Sequence, residues 1–185
     1  MKKYILLREE EIDRMSEDEQ IEYYGRDILD SLNFQSSDEN VQHGTVSVKE
    51  HSLDVARASI RISRFFHMRK KRRELIRGAL LHDFFLYDWH IPAEEGEERK
   101  LHGFYHPGVA LRNARKEFKL SALEQDIIKK HMWPLTVIPP RYKESWVVTA
   151  ADKYCSLRET LHLRKGRFEE KIKEIKEHGE GKKKP

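Results

Sequence analysis

Cysteine is all but missing from this sequence. Cys155 stands alone, which excludes an internal disulfide and a multi-cysteine zinc knuckle and fits a reducing, cytoplasmic setting. Long apolar runs are missing too: no stretch could span a bilayer, and Tyr4-Ile5-Leu6-Leu7 is too short for a signal peptide. The expectation is a cytoplasmic protein with no membrane partner. Strand signals are scarce. Only Thr45-Val46-Ser47-Val48 and Trp146-Val147-Val148-Thr149 are β-branched runs, and both sit beside helical patterns. No internal repeat is visible.

A broad basic surface is also lacking. The net charge is +4, but from Arg164 onward there are nine Lys/Arg against five Asp/Glu, so residues 1–163 are formally neutral. Nucleic acid is therefore not an expected partner. Arg69-Lys70-Lys71-Arg72-Arg73 is the one compact positive cluster, readable as a solvated helix start or as a rim that attracts phosphate.

What is present points to helices. The 185 residues suffice for one domain. Ser16 with Glu19, Ser47 with Glu50 and Ser121 with Glu124 have the spacing of capping boxes, in which a hydroxyl and a carboxylate satisfy two free backbone N–H groups. Helices are expected at roughly 17–32, 48–66 and 122–132. Further helices are expected at about 70–86, from Pro107 at a first helical position to about Phe118, and at roughly 142–163. The polar stretch between Asp88 and Tyr105 reads as a lid or binding loop. The expected fold is all-α, a single helical bundle of about six or seven helices over residues 1–165. Residues 166–185 form a basic extension, a short helix and then a disordered tail.

Ten histidines are present, and their placement carries the chemistry. His82-Asp83 closes the apolar segment Gly78-Ala79-Leu80-Leu81, and two polar groups at a buried helix end need partners. A divalent cation is one such partner, since imidazole nitrogen and carboxylate oxygen are competent ligands. His51 lies in the first turn of the helix opened by Ser47. Asp152 interrupts an uncharged run, Trp146 to Ala151. His51, His82, Asp83 and Asp152 thus offer four ligands from three helices. Cys155, one turn from Asp152, reads as a buried filler.

The order of His51, His82-Asp83 about thirty residues on, and Asp152 within Ala151-Asp152-Lys153 resembles the HD superfamily of metal-dependent phosphohydrolases, over residues 47–158. The resemblance implies an all-α HD domain and hydrolysis of phosphate mono- or diesters, nucleotide-like or small phosphorylated metabolites, by metal-activated water. His106-Pro107 and His131 resemble the extra histidines of binuclear members. Carried across, metal one takes His51, His82, Asp83 and Asp152, and metal two takes Asp83, His106 and His131. Two divalent ions are implied, from among Mn, Fe, Co, Zn and Mg. Asp83, Lys153 and Asp88 are the candidate catalytic residues. His102, Lys153, Lys130 and Arg57 are candidates for contacting substrate. Of Phe84, Phe85, Tyr87, Trp89, Phe104, Tyr105 and Trp133, most read as core or lid packing. The Gly-Tyr-Pro segment of the cyclic-dinucleotide enzymes is absent, and so is the second carboxylate pair of ppGpp hydrolases. Two alternatives use the same fold: a mixed-valence di-iron oxygenase with the same six ligands, and a non-catalytic regulatory or nucleic-acid-binding module.

Overall fold

The computed structural model describes residues 7–38, 41–43, 46–85 and 102–180, with side chains within 7–38, 46–85 and 104–161. In chain order the helices are α1 (Glu9–Arg14), α2 (Glu17–Leu29), α3 (Leu32–Ser36), α4 (Val48–Phe65), α5 (Arg72–Leu81), α6 (His102–Glu117), α7 (Ala122–Lys130) and α8 (Lys143–Glu180). A small antiparallel ribbon, β1 (Val41–His43) and β2 (Val46–Ser47), pairs Val41 with Ser47 and His43 with Val46. The fold is all-α, as the sequence suggests.

All three serine–glutamate boxes form, and they open α2, α4 and α7. Each serine Oγ accepts the N–H three residues on, at 3.2, 3.1 and 3.2 Å. Each glutamate accepts the serine N–H in return.

Several boundaries differ from expectation. Eight helices are present among the described residues rather than six or seven, the short α1 and α3 being additional. Helix α5 stops at Leu81, not near residue 86. Helix α6 starts at His102, so Pro107 lies inside it rather than at its first position, and His106 sits on the helix instead of preceding it. The missing proline N–H removes only one early bond, and burial of Ala110, Leu111 and Ala114 outweighs it. Trp146–Thr149 is helical despite its β-branched residues. Val147, Val148 and Ala151 share a buried face there, and packing overrides propensity. Helix α8 also runs on through Lys165, without the break expected before a separate short helix. Gly166, the only breaker nearby, costs about 1 kcal/mol and cannot end a helix alone.

Helix α5 is the axis of the bundle. Leu75, Ile76, Ala79, Leu80 and Leu81 are all buried, with α2, α4 and α7 packed around it. Gly78 lets α7 come close: a Cβ there would lie 2.5 Å from Ile127 Cδ1 and 3.0 Å from Ile127 Cβ. On the same helix the buried Arg77 guanidinium donates to Glu124 of α7, at 2.7 Å, and to Asp27 of α2. Glu124 also serves the Ser121 box through its other oxygen. Desolvation of one charge is thus offset by two carboxylates from flanking helices. The effect is to set the carboxyl end of α5, and the residues after it, against α4, α7 and α8.

Candidate metal centre

His82 and His131 occupy equivalent positions at two helix ends: His82 is the C-cap of α5 and His131 the C-cap of α7. Each spends its Nδ1–H on the carbonyl three residues back, His82 on Ala79 O at 2.7 Å and His131 on Ile128 O at 2.8 Å. A carbonyl can only accept, so both Nδ1 atoms carry the proton and both Nε2 atoms are directed elsewhere. Capping and ligation therefore do not compete here. The cap fixes the ring that presents Nε2.

The Nε2 atoms converge on Asp83, which is 2% exposed. Its Oδ1 lies 3.1 Å from His106 Nε2 and 3.3 Å from His131 Nε2. Its Oδ2 lies 3.4 Å from His82 Nε2 and 4.0 Å from His51 Nε2. Asp152, in α8, approaches from the other side, with Oδ1 3.2 Å from His51 Nε2 and 3.8 Å from His82 Nε2. His106 and His131 hold their Nε2 atoms 2.8 Å apart. Two groups of donor atoms result, His51-His82-Asp83 and Asp83-His106-His131, each with its atoms within 4.8 Å of one another. All six expected ligands are buried.

Glu159 is an addition that sequence reasoning missed. It lies seven residues beyond Asp152 on α8, two turns along the same face, and is 5% exposed. Both its oxygens face His51 Nδ1, at 3.0 and 3.2 Å. His51 therefore gives one ring N–H to Glu159 and presents Nε2 to the cluster. The i, i+7 spacing from Asp152 was its only signal. Asn113, on α6, was also missed; its amide donates to Phe84 O and Phe85 O, both at 3.2 Å, and fixes the chain that leaves Asp83.

Charge decides what such a cluster needs. Three carboxylates, Asp83, Asp152 and Glu159, are buried with four imidazoles; with every imidazole neutral they would leave three negative charges in a dry interior. Burial opposes charging of His51, but the hydrogen bonds to Asp152 and Glu159 outweigh it and raise its pKa to about 9. Burial works against His82 as well, and the adjacent Asp83 raises it well above the ordinary range. Burial favours the protonated carboxyls of Asp83 and Asp152. The charge of His82 on Asp83, and the hydrogen bond from His51 to Asp152, nonetheless hold both below the usual carboxylate range. Burial holds His131 below its ordinary value. The cluster gathers positive charge in whatever form is on offer. His82 Nε2, buried and without a hydrogen-bond partner, fits a cation better than a proton network. Imidazole nitrogens with carboxylate oxygens are a suitable donor set for Zn, Fe, Mn or Co.

The remaining candidates fall elsewhere. Lys153 is exposed, and its Nζ donates to His131 O at 3.2 Å, beside the cluster. Arg57 is engaged by Asp18 at 2.7 Å and Asp54 at 3.0 Å. Lys130 is paired with Asp126 at 2.6 Å. Both side chains are committed to these pairs. Asp88, Tyr87, Trp89, most of the lid expected between Asp88 and Tyr105, and the side chain of His102 lie outside the described residues; residues 102–105, expected to close that loop, instead belong to α6. Phe84 and Phe85 are core, whereas Phe104 and Tyr105, next to His106, are about half exposed. Trp133 stacks edge-on against Trp146 with centroids 4.8 Å apart. Cys155 is buried filler, its thiol pushed up to about 12 by burial.

Comparison with protein-family models, curated proteins and solved structures gives no match. The His/Asp cluster therefore carries the functional reading by its own chemistry. Among the described residues no helix is long and apolar enough to cross a membrane.

Proposed function

We propose that this chain is a metal-dependent phosphohydrolase of the HD type, cleaving a phosphate mono- or diester of a small phosphorylated molecule such as a nucleotide. One observation carries the reading. Asp83 turns its two oxygens to two different sets of histidines, Oδ2 to His51 and His82 and Oδ1 to His106 and His131, so that one carboxylate would serve both groups of donors. His51, His82, Asp83 and Asp152 would hold one ion, and Asp83, His106 and His131 the other.

Divalent ions bound there supply Lewis acidity for water activation and neutralise phosphoryl oxygens. The chain does the rest. Glu159 holds the His51 ring, and the Ala79 and Ile128 carbonyls hold His82 and His131, so that three of the four imidazoles need no reorganisation. Lys153, tethered to the His131 carbonyl, adds a positive charge at the margin that draws an anionic ester in. Burial of Asp83 and Asp152 keeps bulk water from screening these charges.

The test is turnover of a panel of phosphomonoesters and phosphodiesters with Mn, Fe, Co and Mg, alongside elemental analysis of the purified protein. His82→Ala and Asp83→Ala are expected to lose metal and turnover together. Undiminished turnover by metal-free His82→Ala protein would sink the proposal. A mixed-valence di-iron signal in aerobically purified protein, with no ester cleaved, would replace it with the oxygenase reading.

A further inference from the structure

At the opposite end of the α4–α5 pair from the metal centre lies a pocket of about 210 Å³. Ser63 and Arg64 reach it from the end of α4, His67, Met68 and Arg69 from the turn, Arg72 from the start of α5 and Asp13 from α1. Its volume is below the roughly 300–1,000 Å³ of pockets for drug-sized ligands, so it suits a small ion or one group of a larger molecule. Three of its seven lining residues are arginines.

The charges there are unevenly matched. Arg64 donates to Glu17 at 2.8 Å and to the Met15 carbonyl. Asp13 is shared by Arg69, at 3.3 Å, and Arg72. Three guanidiniums thus face two carboxylates, with Lys70 exposed nearby. Arg72 is only 6% exposed, yet its buried Nε has no hydrogen-bond partner. A buried guanidinium with one donor unmet is expensive. The backbone adds its own sign of constraint: His67 and Lys71, five-residue brackets of this turn, are left-handed at φ 52° and 60°. Neither is glycine, and such residues cost on the order of 1–3 kcal/mol each. Lys71 is the N-cap of α5 and makes no side-chain cap, so the first turn of that helix keeps its positive end.

We infer that this pocket is a second, metal-independent anion site that takes the phosphate group of a small molecule between Arg64, Arg69 and Arg72. It is separate from the metal centre. Arg72 and His82 are ten residues apart on one helix path and Ser63 and His51 twelve apart on another, about 15 and 18 Å at 1.5 Å per residue. The site takes Arg69 and Arg72 from the Arg69–Arg73 run, to which the histidine cluster gives no role. Because α4 and α5 carry His51 and His82 at their other ends, a phosphate here would clamp the two helices that frame the metal centre.

The experiment is calorimetric titration of the EDTA-treated full chain, at fixed ionic strength, with inorganic phosphate and separately with glycerol phosphate. Saturable one-to-one binding is expected, and the tighter of the two tells free ion from phosphomonoester. Arg69 is 60% exposed, so Arg69→Gln keeps the fold and is expected to weaken binding about tenfold, as loss of a charged hydrogen bond implies. Asp13→Asn, which removes a competing negative charge, is expected to tighten it. Arg112→Gln, an exposed arginine on α6, is expected to change nothing. Absence of binding, an unaffected Arg69→Gln, weaker binding in folded Asp13→Asn, or equal loss in Arg112→Gln overturns the assignment. So does a short DNA duplex that binds here more tightly than either phosphate. None of these results bears on ester hydrolysis.

Discussion

Glu159 shows how one side chain outside the ligand set can govern it. Both its oxygens lie against His51 Nδ1, and replacing them alters which His51 tautomer is preferred. Glu159→Gln keeps the shape but turns a charge-assisted acceptor into a neutral one. The expected result is a 10- to 100-fold loss of metal affinity with the fold retained, measured by chelator competition and circular dichroism. Unchanged affinity would mean that Glu159 only fills space. The convergence of His51, His82, Asp83, His106, His131 and Asp152 was legible in the sequence, because each stands at a helix end or against an apolar run where a polar group needs a partner. Glu159 was not. It is one of 32 acidic residues, and only the register of α8 distinguishes it from a solvated glutamate.

Among the elements, α5 bears the closest packing. Gly78 admits Ile127 where a methyl would collide with that residue's Cδ1, Cβ and Cγ2. Two of those three atoms sit at or next to the backbone and cannot swing away. Gly78→Ala is therefore expected to destabilise the fold by about 1–3 kcal/mol, read as a lower urea midpoint with an unchanged m-value. A gain in stability from alanine's better helix propensity would contradict that packing. Helix starts were legible because a capping box is local: Ser47 and Glu50 contact each other whatever the fold. Helix ends were not. Where α5 stops depends on His82 turning back to Ala79 O, and α8 continues past Gly166 because no local signal there outweighs the helix already formed.

At the scale of the whole molecule, the buried charges tie stability to pH. His51 is raised from 6.5 to about 9 in the metal-free chain, by Asp152 and Glu159 against the opposing effect of burial. A raised histidine pKa contributes stability that is complete below about 6.5 and is lost as pH climbs through 9. His82 is shifted the same way, whereas His131 is shifted down and acts below pH 6.5. Urea unfolding of EDTA-treated protein should therefore show stability falling between pH 6.5 and 9, by up to about 3 kcal/mol for His51 alone. A flat profile would show that the cluster is not charged as described. With a divalent ion in the protons' place, the slope should flatten.

His51 and Asp152 stand 101 residues apart in the chain, and His51 and Glu159 stand 108 apart. Contacts that distant form late, after the entropy of closing the long loops between them has been spent. No subset of neighbouring segments can assemble the whole cluster early, because its four histidines and two aspartates come from α4, the end of α5, α6, the end of α7 and α8. An ion captured there would act as a timestamp of completed folding, and its release rate would track how often the chain's most distant segments part.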